Sequence, residues 1–135
     1  MTCLRRLLTA AVLTAILGGC GDFTGPGISG RWASPGIELV GEPRAATLRL
    51  ACATAARLTH GLLPDSAGSI RFSTAMEFQL GLAPIVYHVD FLGHLAADTL
   101  VATVTRRLDS GTSVVQTYTM LRNADAGWDR IGCIQ

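Results

Sequence analysis

Three side chains in one short stretch, His88, Asp90 and His94, are of the types that hold metal ions or move protons. Strand alternation would put all three on one outward face, and His88-x-Asp90 would supply two ligands. Alternate residues on a strand lie about 6.5–7 Å apart, so two such side chains converge only through suitable rotamers. No third strong ligand stands nearby in the sequence. The simpler reading is a solvated strand face; the competing one is a metal-dependent or hydrolytic enzyme using His88, Asp90 and His94. Glu77 and Asp90 would form a carboxylate pair only across adjacent strands, and with Arg71 close by a surface ion pair is the ordinary outcome. There is no Gly-x-Ser-x-Gly, no Cys-x-x-Cys and no phosphate-binding glycine loop. Ser66 and Ser69 sit in a turn with no paired base. The chain is therefore expected not to be an enzyme and to need no cofactor or metal.

The N-terminus carries the most specific chemistry. Residues 1–6 are short and positive, with Arg5 and Arg6, and residues 7–17 form an uncharged apolar run. Eleven residues are too few for a bilayer-spanning helix, which needs about 20, but they suit a secretory leader. The leader ends in Leu17-Gly18-Gly19-Cys20. This tetrapeptide closely resembles the lipobox of bacterial lipoprotein precursors, in which an aliphatic residue and two small residues precede the cysteine. The resemblance covers about twenty residues. It implies that the Cys20 thiol receives a diacylglyceryl group, that residues 1–19 are cut away, and that the new amine is acylated as well. Two or three acyl chains make the durable membrane anchor that a single chain does not. It also implies an exported protein in the bacterial cell envelope. Gly21 rather than Asp follows the cysteine, which by analogy with enterobacterial lipoproteins directs it to the periplasmic side of an outer membrane, where the organism has one.

The four cysteines then separate. Cys3 leaves with the leader, Cys20 takes the lipid, and Cys52 and Cys133 remain as one pair in an oxidising compartment. A Cys52–Cys133 disulfide is the expectation, with two buried free thiols as the alternative. Loss of the leader removes Arg5 and Arg6 and leaves nine basic against ten acidic residues, with no Lys at all. A net charge near −1 gives no electrostatic reason to expect a nucleic-acid partner.

The elements that must position these groups read as strands. Residues 20–30, with repeated Gly and one Pro, form a flexible tether behind the lipidated Cys20, and residues 31–135 form one domain. Within Ser69–Leu80 the even positions are mostly apolar and the odd ones mostly polar, the period of a half-buried strand. Ile85–Leu95, Asp98–Leu108 and Thr112–Arg122 repeat that character, and Ile37–Val40 and Ala45–Cys52 look like shorter strands. Ala56–Leu63 is read as a strand, with a short helix over Ala51–His60 as the alternative, and Trp128–Ile134 as a last strand. Pro64–Gly68, Ala96-Ala97, Asp109-Ser110-Gly111 and Asn123–Gly127 are the turns. About eight strands on short links predict an all-β domain, either a small antiparallel up-and-down barrel or a bent β-sandwich.

Gly30-Arg31-Trp32 resembles the Gly-x-Trp with which lipocalin barrels begin. That resemblance covers three residues and implies that Trp32 plugs one barrel end beneath an Arg of the final strand, a role for which Arg130 is placed. The functional expectation is a membrane-anchored envelope lipoprotein with a non-enzymatic binding role. Its partner would be a small apolar ligand or an envelope protein at the rim; a purely structural spacer is the other alternative.

Overall fold

The structure, a computed structural model, describes residues 28–133. The leader, Cys20 and the greater part of the tether lie outside the described residues. Eight strands run in chain order: β1 Gly30–Ser34, β2 Ile37–Glu42, β3 Ala45–Leu50, β4 Ala56–Leu58, β5 Ser69–Gln79, β6 Pro84–Ala96, β7 Thr99–Arg107 and β8 Ser113–Arg122. All neighbours are antiparallel, in the spatial order β4-β3-β2-β1-β8-β7-β6-β5. The sheet curls into a nearly closed barrel. Its seam is drawn together where Gln79 N–H donates to Cys52 O at 2.7 Å and Thr54 N–H to Glu77 O at 2.8 Å, around an Ala53–Phe78 bridge. No helix among the described residues is long and apolar enough to cross a membrane.

Period-two patterning places the core. Phe78, Val89, Phe91, Leu100, Ala102, Val104 and Met120 point inward from the long strands and meet Trp32, Ile37, Leu39 and Leu48 from the short ones. A buried aromatic or large aliphatic side chain stabilises by about 1.5–3 kcal/mol relative to exposure, so the filled interior is the main force holding the sheet curled. Gly93 belongs to this packing: a Cβ there would lie 2.9 Å from both the Phe91 ring and Leu100 Cδ1. Phe91 stacks on Phe72 across β5 and β6, with centroids 4.8 Å apart.

The turns follow their residues. Asp65 Oδ1 accepts N–H bonds from Ala67 and Ser69, both at 2.9 Å, and Gly111 turns the β7–β8 hairpin at φ 91°. Three boundaries differ from the sequence reading. The tether ends earlier than residue 30, because Ile28 is buried and its N–H donates to Leu62 O at 3.0 Å. Of Ala56–Leu63 only Ala56–Leu58 is strand, and Ala51–His60 is not helical. There the inward seats of Ala56 and Leu58 beside β3 override helix propensity.

The third difference is the expected last strand at Trp128–Ile134. The chain instead makes a single 3-10 turn, Trp128–Arg130, after Gly127 at φ 64°. The edge it would need is taken: where the segment leaves β8, at Leu121 and Arg122, β1 is already paired on one side and β7 lies on the other. The segment after β8 becomes a strap: Ala126 O accepts the Gly36 N–H at 3.0 Å, and the Arg49 guanidinium lies 4.9 Å from the Trp128 ring. Beneath it the outward-facing Ala33 and Glu38 are buried, and Glu38 is gripped by Arg31 at 2.6 Å and Arg49 at 3.2 Å. The strap ends in the Cys52–Cys133 disulfide, with Cα atoms 5.3 Å apart.

Two substitutions test this arrangement. The disulfide closes a loop of 81 residues, worth about 4.5 kcal/mol on loop-closure entropy; the double variant Cys52→Ser/Cys133→Ser should lose about that much in urea unfolding. Gly41→Ala would bring a Cβ within 1.7 Å of Ile28 O. It should release the Ile28 segment and cost about 1–3 kcal/mol, read as faster amide exchange at Ile28 than in the parent.

Candidate functional site at the Arg106 end of the barrel

The barrel has two differently finished ends. At the end where Ile28 joins, Arg122 of β8 lays its guanidinium 4.6 Å from the Trp32 ring. Arg122 also reaches Ser29 O at 3.4 Å and Asp98 Oδ1 at 3.7 Å. The arginine over Trp32 is thus Arg122. Arg130 sits in the strap instead, within 4 Å of Asp125 and Asp129. The strap is not a strand, so its arginine cannot take the place of a final-strand residue pointing inward.

The opposite end is built from β5, β6, β7 and β8. Inward parity along β7 runs through Leu100, Ala102 and Val104 to Arg106, so a charged side chain stands where the apolar series would continue. Its guanidinium lies 5.1 Å from the Phe78 ring and 6.0 Å from the Tyr87 ring. Phe78 and Tyr87 themselves meet edge to face at 5.2 Å. One Arg106 nitrogen donates to Gln116 Oε1 at 3.1 Å, and the Tyr118 hydroxyl donates to the same oxygen at 3.0 Å. Arg106 Nε is buried with no partner, and no carboxylate lies within 4 Å of the group among the described residues. Burial pushes the Tyr118 hydroxyl above its usual range, against a smaller lowering by Arg106. It therefore stays a neutral donor at ordinary pH. Ile85 and Val114, on the same inward parity, are 38% and 40% exposed, so the mouth is apolar around one uncompensated cation.

The residues singled out from the sequence are distributed differently. His88, Asp90 and His94 do share the outward face of β6, but they take different partners. His88 Nε2 is 3.0 Å from Asp109 Oδ1, whereas Asp90 accepts from Ser73 Oγ and from Arg107, each at 2.6 Å. No group of three or more His, Cys, Asp or Glu placed to hold a metal occurs among the described residues. Asp90 lies in a shallow depression of about 340 Å³ on the outside of β5–β7, with Arg71, Ser73, Leu92, Thr103 and Thr105. Glu77 faces the Gln79 amide rather than Asp90.

Sequence reasoning missed Arg106 and Gln116. Their signal was present, since Leu100-x-Ala102-x-Val104-x-Arg106 keeps strict alternation. Recognising it required following the inward parity past the last apolar residue.

No protein-family model, curated protein or solved structure matches the chain.

Two outcomes check the electrostatics. The Ser73 hydroxyl is the largest cause holding the Asp90 carboxyl below its ordinary 3.8, against a raising by burial and with help from Arg107. A carboxyl lowered in the folded state adds stability above its ordinary value and loses it as pH falls through the lowered one. Ser73→Ala should move the Asp90 titration upward in a carboxyl NMR experiment. A half-buried cation with no carboxylate beside it adds little to folding, so Arg106→Met, which keeps an apolar stem, should change unfolding free energy by less than about 1 kcal/mol.

Proposed function

We propose that this chain is a lipoprotein of the bacterial envelope, anchored through acyl chains on Cys20. Its barrel, on this reading, is a non-enzymatic binding module. What it takes at the Arg106 mouth is a small apolar molecule bearing an anionic group. The observation that carries the ligand is the Arg106 guanidinium, seated on Phe78 and Tyr87 without a carboxylate partner among the described residues. An anion there would complete a charge-assisted pair with Arg106 and take over the Tyr118 O–H bond now made to Gln116 Oε1, while its apolar part covers Ile85 and Val114. The anchor rests on Leu17-Gly18-Gly19-Cys20 behind a positive, apolar leader. The two parts are compatible in space: Ile28, where the tether would join, lies at the Trp32 end of the barrel, away from the mouth.

A second reading, an envelope protein docked on the rim, is favoured by the β5–β6 hairpin. Leu82 is fully exposed at its tip and Val86 is 57% exposed. A photo-crosslinking residue at position 82 that captures the same envelope protein in repeated preparations would support this reading over the small ligand.

Both parts of the leading proposal have direct tests. Cys20→Ser should give a protein that keeps residues 1–19 and takes up no labelled palmitate, whereas the parent is shortened and labelled. Calorimetry of the intact protein with dodecanoate and with dodecanol tests the mouth. The carboxylate should bind more tightly, and Arg106→Met should weaken it about 10- to 100-fold, the range of a charge-assisted hydrogen bond. Equal binding of acid and alcohol, or undiminished binding by Arg106→Met, would remove the anionic ligand.

A further inference from the structure

β8 carries a long stretch of unpaired sheet edge. On one side β8 pairs with β7 along its full length, from Ser113 opposite Arg107 to Leu121 opposite Thr99. On the other side it meets β1 only at Trp32–Arg122 and Ala33–Leu121. β1 ends at Ser34 and turns through Pro35-Gly36 into β2, so it does not reach the first half of β8. Asn123 N–H donates to Arg31 O at 2.8 Å, which sets the odd-numbered residues of β8 with their N–H and C=O groups toward β1. Beyond the β1 turn, Ser113, Val115 and Thr117 therefore aim donors and acceptors outward. None of them has a backbone partner on that side among the described residues.

Natural sheet edges of this kind are usually guarded by Lys, Pro, a bulge or an inward-pointing charge. This one has none of these guards. From Ser110 to Leu121 the chain holds no charged residue and no Pro, and the β7–β8 register runs without interruption. Val115 is 60% exposed and Val114 is 40% exposed.

We propose that this edge is an interface for a second copy of the chain, β8 pairing antiparallel with β8 of its partner about a two-fold axis at Val115. The register follows from the three free residues. Val115 meets the partner's Val115, and Ser113 and Thr117 meet the partner's Thr117 and Ser113, so every outward-aimed N–H and C=O of the three is used. Between them Val114 lies opposite the partner's Gln116. No like charges oppose one another anywhere along the contact, and β-branched side chains pair across it. The edge is self-complementary in this register, which is why a second copy, rather than an unrelated strand, is its occupant. The interface adjoins the mouth, since Val114 and Gln116 lie at both, but it needs no ligand there.

The test uses full-length protein extracted in mild detergent. Sedimentation equilibrium, corrected for bound detergent, should give twice the chain mass. Thr117→Pro removes one edge N–H and should halve that mass while leaving the far-ultraviolet dichroism of the β-domain unchanged. In a hydrogen-bonded antiparallel pair the Cα atoms lie about 5.5 Å apart, within disulfide reach. Val115→Cys should therefore form a reducible dimer on mild oxidation, and Val101→Cys, exposed on the outside of β7, should not. The proposal is overturned if the parent sediments as a monomer at the highest concentration attainable. It is equally overturned if Val115→Cys links no better than Val101→Cys, or links to a different protein.

Discussion

Everything in this fold depends on holding two four-stranded halves together along narrow seams. β1–β4 and β5–β8 are each joined internally by continuous antiparallel ladders, but they meet at only two register pairs between β1 and β8 and at the Ala53–Phe78 bridge with its flanking bonds. Backbone pairing at those seams is too short to hold by itself. Closure therefore relies on the shared apolar interior and on the strap that leaves β8 and runs across the outside of β1–β3 to Cys52. Glu38 shows how closely the strap lies: an outward-facing carboxylate is buried there and neutralised by two arginines.

The two ends of the barrel use arginine on aromatic rings for different ends. Arg122 over Trp32 has a backbone carbonyl and Asp98 within reach and lies beside the last β1–β8 pairs, so its charge is satisfied and its work is to cap. Arg106 has the rings and one amide oxygen but no anion. A cation kept partly out of water without a counter-charge costs stability, and such a cost is usual where a surface is shaped to recognise something rather than to fold.

Much of this was legible in the sequence, because alternation is a strong local signal. β5, β6 and β7 appear almost as Ile70-x-Phe72, Val89-x-Phe91 and Leu100-x-Ala102 predict, and the pairing of Cys52 with Cys133 follows from counting sulfurs once Cys20 is assigned to lipid. The short half was harder. β1 was hidden because Gly30-Arg31-Trp32-Ala33-Ser34 carries a single large apolar side chain, its other buried residue being only alanine. The strap reads as a strand because Trp128 and Ile131 look strand-like, and only topology reveals that β1 and β7 already flank the end of β8 from which it leaves. The mouth was legible in parity but not in polarity: an arginine at the end of an apolar series reads as a strand terminus until the neighbouring strands are in place.

The β1–β8 seam has a kinetic side. Trp32 and Arg122, its paired residues, are separated by almost the whole domain, and contacts so distant in sequence form late because the loop-closure entropy must be met first. As the polypeptide is made from its amino end, the β1–β2–β3 meander is complete long before β8 exists. Throughout that interval β1 is an unprotected edge, able to pair with any extended chain nearby. The stage most prone to misassembly is thus the wait of the first strand for the last.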